Sequence, residues 1–155
     1  MSTPTDQTMR HMATRTGKVV VPAALAADVD QFHYAPVRRA GDHVHVSGIV
    51  AIHDGVEPMT AEAFQAELRR VFRQIESLLA ACDADLADVV ELTMFHVFGS
   101  DRLALDKAGQ LAVIAAVRDE FFKAPYPTAV ELGVADLNPP GGLVEIRALA
   151  FAPRG

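Results

Sequence analysis

The clearest pattern along the chain is a set of apolar residues at three- and four-residue intervals: Phe64, Leu68, Val71, Phe72, Ile75, Leu78, Leu79 and Cys82. A single stripe on a 3.6-residue repeat predicts an amphipathic helix over about residues 61–81, with its apolar side buried against another layer. Thr60 stands where an N-cap would, and Glu62 suits the positive end of the helix dipole. Leu103, Leu111, Ile114, Val117 and Phe121 or Phe122 predict a second helix over about residues 102–122, stopped by Pro125 and Pro127.

Elsewhere the period is two. Residues 37–40, the pair Gly41-Asp42 and residues 43–50 read as strand, turn and strand. Strict alternation puts His43, His45 and Ser47 on one face of the second strand, and Val44, Val46 and Gly48 on the other. Further strands are expected over residues 18–22, 89–97, 129–134 and 143–151. Residues 23–32 read as a helical turn or a loop. Residues 52–59 form a loop, and Asn138-Pro139-Pro140-Gly141-Gly142 a sharp turn. Strands, helix, strand, helix and two strands give an α+β fold of split βαβ type. Two helices cover one face of a mixed sheet. The other face has no helix left to cover it, which predicts oligomerisation.

The 155 residues suit one domain, and half of them are apolar, enough for a single core. Residues 1–16 are polar and aperiodic and read as a mobile tail, so the domain is expected to span residues 17–155. A net charge of −6 argues against a nucleic-acid partner. No apolar run is long enough to cross a bilayer, and no leader-like apolar stretch opens the chain. The single cysteine, Cys82, excludes an intrachain disulfide and points to a reducing, cytoplasmic setting.

Five segments in order resemble the RidA (YjgF/YER057c/UK114) family, across about residues 34–150. They are Tyr34-Ala35-Pro36 leading into the first hairpin, Val46-Ser47-Gly48, Leu86-Ala87-Asp88-Val89-Val90, Glu120-Phe121-Phe122 followed by Tyr126-Pro127, and Leu143-Val144-Glu145-Ile146. The resemblance implies a chorismate-mutase-like fold and a homotrimer with pockets between subunits. It also implies hydrolysis of small-molecule enamines and imines to ketoacids and ammonia, with no cofactor and no metal. By the same resemblance Tyr34 lines the pocket, Ser47 and Gly48 form its wall, and Glu145 positions water. The family's carboxylate-gripping arginine falls on Ala129, which makes this a divergent member. Alanine offers none of the paired charged hydrogen bonds of a guanidinium.

Alternation along residues 129–134 groups Ala129, Glu131 and Gly133 on one face. If Ala129 faces the pocket, Glu131 joins Glu145 there. Two close carboxylates raise one another's pKa and form an acid–base pair for cyclisation, condensation or tautomerisation. The alternative is a structural pairing of Glu131 with Arg147 across neighbouring strands. His96 is read as pocket-lining or as a satisfied core histidine; with His43 and His45 it makes a conceivable metal trio. A non-catalytic, metabolite-binding trimer is the third reading. Cys82 reads as a core residue, Ser47 has no triad partners in sequence, and Gly141-Gly142 lacks the lysine and helix of a phosphate loop.

Overall fold

The computed structural model describes residues 9–154. In chain order the elements are β1 (Arg10–Thr14), β2 (Gly17–Val21), α1 (Ala26–Phe32), β3 (Val37–Ala40), β4 (His43–Ile52), α2 (Ala61–Ala81), β5 (Val89–His96), α3 (Lys107–Phe121), β6 (Thr128–Gly133) and β7 (Gly142–Phe151). Short 3-10 turns precede α1 and β5. The strands form one sheet in the order β1-β2-β3-β4-β7-β5-β6. Only β5 and β6 run parallel, so the sheet is mixed and the class is α+β, as expected.

α2 begins where the sequence predicts. Thr60 Oγ1 accepts from the Ala63 amide at 3.2 Å, satisfying a first-turn donor that has no partner inside the helix. Its apolar stripe, from Phe64 to Leu79, is buried. α3 starts five residues later than expected, at Lys107. Asp106 is its N-cap and accepts from the Gly109 amide at 2.8 Å. Leu103 is buried all the same, but it belongs to a loop bridged to Met59; a core contact alone does not make a residue helical.

Both long helices lie on one face of the sheet. Val44, Val46, Ile49 and Ala51 of β4, Leu92 and Met94 of β5, and Ile146, Ala148 and Ala150 of β7 join the α2 and α3 residues in the main core. α1 packs on the opposite face at the β2 end, where Val29 meets Val19 and Val21 in a small separate cluster. Among the described residues the rest of that face, across β3, β4, β7, β5 and β6, carries no helix.

Residues 10–14 correct the expectation of a mobile tail. β1 pairs with β2 along its whole length, and Arg10 forms an ion pair with Asp30 of α1 at 2.7 Å. Backbone pairing of an edge strand needs no apolar periodicity, so the polar sequence concealed it. Residues 1–8, also assigned to that tail, lie outside the described residues.

Arg39 was not singled out by the sequence reading, yet it is almost fully buried at 1% exposure. It faces the helices, because its β4 partner is Val44. Its guanidinium donates to the carbonyls of Cys82 at 2.8 Å, Asp83 at 2.8 Å, Ala152 at 2.9 Å and Gly41 at 3.1 Å. A cation at the C-terminal end of α2 is favoured by the helix dipole and satisfies carbonyls that the helix leaves unpaired. One side chain thus ties the first hairpin, the end of α2 and the end of the chain together.

Candidate active site

The helix-free face is organised by an irregularity in β4. Val46 pairs with Ala148 and Ile49 with Ile146, so two residues of β4, Ser47 and Gly48, stand opposite one residue of β7, Arg147. This is a β-bulge, a device that re-aims side chains and is frequent beside active sites. It corrects the strict alternation read from the sequence. Val46 and Ile49 both face the core, while Ser47 and Gly48 open onto the cavities on either side of them.

Glu145 belongs to the same face. Its β7 neighbours Val144 and Ile146 are buried towards the helices, so by alternation Glu145 and Arg147 point away from them. The Glu145 carboxylate lies against the Cα of Gly48: a Cβ at that position would collide with Oε1. Burial raises the Glu145 pKa above its ordinary value of 4.5. Among the described residues the carboxylate makes no side-chain hydrogen bond or ion pair to offset that burial.

Tyr34 follows α1, whose C-cap His33 takes a left-handed conformation at φ 56°. It stands at the rim of a cavity of about 270 Å³ whose wall includes Ser47, Gly48, Val50, Arg70 and Leu78. Burial, and then the charge of Asp28, raise the Tyr34 pKa, so its hydroxyl stays protonated as a donor. Ser47 Oγ donates to the Ala35 carbonyl at 2.6 Å, fixing the Tyr34 loop to the bulge. Tyr34, Ser47 and Gly48 thus line one cavity, and Glu145 lies against Gly48.

Glu131, Ala129 and His96 do not join them. β6 pairs in parallel with β5, and Ala129, Glu131 and Gly133 are partners of Leu92, Met94 and His96, the helix-facing row. Glu131 and Glu145 thus occupy opposite faces, and the two-carboxylate pair expected from the sequence is not formed. Nor does Glu131 pair with Arg147: it accepts from Arg118 of α3 at 3.3 Å. Ala129 lines a different cavity, of about 420 Å³, with Leu92, Arg118, Phe122, Tyr126 and Pro127.

His96 is fully buried, and neither ring nitrogen has a hydrogen-bond partner, so it is not the satisfied core histidine of one sequence reading. Nε2 stands 3.6 Å from Glu131, beyond a good hydrogen bond. The ring stacks on Phe98 at 4.9 Å. Burial lowers its pKa, with Glu131 partly opposing. His43 and His45 neighbour one another on β4 with ring centroids 6.3 Å apart, but His96 faces the other way, so the three do not converge. Among the described residues no group of three or more His, Cys, Asp or Glu side chains is gathered as for a metal.

The residues that sequence reasoning missed are Arg147 as a wall of the site, Arg38 opposite His45, and Arg118 beside Ala129. The available signal was the alternation of β7, which places Arg147 on the Glu145 face.

A mixed sheet with its long helices on one side places the chain among the small α+β proteins. Residues 23–152 match the Endoribonuclease L-PSP family, and the chain belongs to that family, the RidA/YjgF group. It is 31% identical over 143 residues to the RutC family protein YjgH of Escherichia coli, covering 92% of this chain and 98% of that one. It is 25% identical over 116 residues to a 2-iminobutanoate/2-iminopropanoate deaminase of Dermatophagoides farinae, covering 75% and 83%. Among solved structures, Protein YJGH superposes with a TM-score of 0.68 at 29% identity, covering 88% of this chain and 97% of that one. Rv2704 of Mycobacterium tuberculosis, a member of the YjgF/YER057c/UK114 family, superposes with a TM-score of 0.64 at 25% identity, covering 82% and 93%.

Proposed function

We propose that this chain hydrolyses small imines or enamines to carbonyl compounds and ammonia, at the Glu145 site, in a cavity completed by a neighbouring subunit of a homotrimer. The observation that carries the reading is the desolvated, unpaired Glu145 carboxylate held against Gly48. Burial raises the pKa of this carboxyl group, which makes its ionised form a stronger proton acceptor than an ordinary carboxylate. Water adds to the imine carbon as Glu145 takes one of its protons, and Glu145 returns that proton to the nitrogen to give the carbinolamine. The carbinolamine then loses ammonia as the C–N bond breaks and the C=O bond forms, the hydroxyl proton passing through Glu145 to the leaving nitrogen. Tyr34, a protonated hydroxyl at the rim, is suited to orient the substrate. The deaminase name of the Dermatophagoides relative supports the same chemistry.

The trimer is supported by the helix-free face. Val130 and Leu132 on β6 and Phe151 on β7 are 46%, 47% and 42% exposed there, an apolar row of the kind that a second copy covers. No helix among the described residues is long and apolar enough to cross a membrane. The buried sole thiol, Cys82, supports a cytoplasmic setting. The net charge of −6 disfavours ribonucleic acid as the substrate.

The test is ammonia release from freshly generated 2-aminoacrylate and 2-iminobutanoate. Wild-type protein is expected to accelerate it, and Glu145→Gln to lose on the order of 10²-fold or more of that rate, as for removal of a general acid–base. Release no faster than in buffer would leave a metabolite-binding trimer as the better description.

A further inference from the structure

Past the Ser47–Gly48 bulge, β4 is held by a strand on one flank only. β3 pairs with it as far as Val46, and the Ser47 amide donates to the Pro36 carbonyl at 2.9 Å. From Ile49 onward, among the described residues, its strand partner is β7 alone. A second register irregularity falls between Ala51 and Ile52, so the pairs Ile49–Ile146, Val50–Glu145 and Ala51–Val144 form a short ladder interrupted at both ends. Pairing is locally disrupted at such interruptions. Glu145 stands in the middle of this ladder, directly opposite Val50.

α2 closes the bare flank. Arg70 donates to the Val50 carbonyl at 2.8 Å, and Glu67 accepts from the Ile52 amide at 3.1 Å. The two side chains are also locked to one another, the Arg70 fork meeting both Glu67 oxygens at 2.9 and 2.7 Å. The remaining Arg70 nitrogen donates to Gln74 at 2.8 Å. Every nitrogen of this guanidinium therefore has an acceptor within the protein. An ordinary i,i+3 ion pair on a helix surface adds little to stability. This pair differs because each member also takes a main-chain group of β4. A planar fork engaged by a carboxylate holds one geometry, which a flexible ammonium does not.

We infer that Arg70 and Glu67 are positioning residues for Glu145: they fix the bare flank of β4 at Val50 and Ile52, and through that strand the seat of the carboxylate over Gly48. The inference rests on the proposed hydrolysis at Glu145 and names the residues that set its geometry. Neither side chain needs to touch the substrate.

Two readouts test it. The titration midpoint of the Glu145 carboxyl carbon, assigned by its loss in Glu145→Gln, reports the setting of the carboxylate without turnover. Ammonia release from 2-iminobutanoate gives kcat and KM. Arg70→Met keeps a long stem and removes the fork. The carboxylate should gain water, and its midpoint should fall towards the ordinary 4.5. kcat should fall on the order of tenfold with KM little changed, a partial case of the roughly 10²-fold loss from a 1 Å misplacement. Arg70→Lys should recover part of both effects, and it stands in if the methionine variant does not fold. Glu67→Gln, which keeps an oxygen for the Ile52 amide, should do less than Arg70→Met. Arg69→Met removes the neighbouring guanidinium, which pairs with Glu120 of α3, and should change neither readout. Thermal midpoints correct each rate for the folded fraction. An unchanged Glu145 midpoint in Arg70→Met would overturn the inference, as would an equal effect of Arg69→Met. If the wild type is active and Arg70→Met keeps its kcat, the positioning fails and the hydrolysis stands. If the midpoint moves but the wild type releases no ammonia, the positioning stands and the hydrolysis fails.

Discussion

The carboxylate of Glu145 occupies the space that any side chain at residue 48 would need; it is Gly48 that lets it lie flat against the bulge. Alanine there must push the carboxylate aside or open the strand pair. Gly48→Ala is expected to lower turnover on the order of 10²-fold, the effect of displacing a reacting group by about 1 Å. Because the bulge is at the surface of a cavity and not in the core, the thermal midpoint should fall only slightly. Parallel assays of turnover and melting separate the two effects.

Glu145 also predicts a pH dependence of stability. Its folded-state pKa is raised by burial above the ordinary 4.5, so ionisation is disfavoured in the folded state. Its contribution is fully present below the unfolded value and is lost as pH rises through the folded one. Glu145→Gln should therefore stabilise the protein at pH 7–8 and make little difference near pH 4. Melting of both proteins across that range checks it; a difference that grows towards acid would contradict the assignment.

His96 has the opposite sign. Its pKa is lowered from 6.5, chiefly by burial, so the folded state holds the neutral ring. Stability is present above the unfolded value and is lost as pH falls through the folded one. His96→Phe keeps a ring to stack on Phe98 and removes two polar atoms without partners. The variant should match or exceed wild-type stability at pH 7, and its margin should widen towards pH 5, as read by urea midpoints.

Arg39→Ala is expected to be the most damaging of these substitutions. It orphans the carbonyls of Cys82, Asp83, Ala152 and Gly41 and leaves a void beside them. At about 1–3 kcal/mol for each buried group left without a partner, a loss of at least about 3 kcal/mol should appear in urea unfolding. Arg39→Lys should recover little, because an ammonium cannot reach carbonyls spread around a planar fork.

Much of this architecture was legible in the sequence, and the exceptions have physical causes. α2 announced itself because its stripe is buried against a layer of the same chain. The start of α3 was misread because Leu103 supplies a core contact from a loop. β1 escaped because edge pairing is made by backbone groups. The grouping of Ala129, Glu131 and Gly133 was right, but the face they occupy was not. Apolar residues ordinarily mark the core side of a strand; on β6 the apolar row is Val130 and Leu132, and it faces the helix-free side. The bulge was invisible because Val-Ser-Gly satisfies simple alternation, and only the mismatch in register with β7 reveals the extra residue.

The strand order carries a consequence for synthesis. β7, the last strand in chain order, is the one inserted between β4 and β5. Until its final residues emerge, the nascent sheet is two separate halves with raw inner edges, and Arg39 waits for the Ala152 carbonyl. A chain shortened before Gly142 keeps both halves of the sheet yet has no strand to join them, only the packing of α2 and α3.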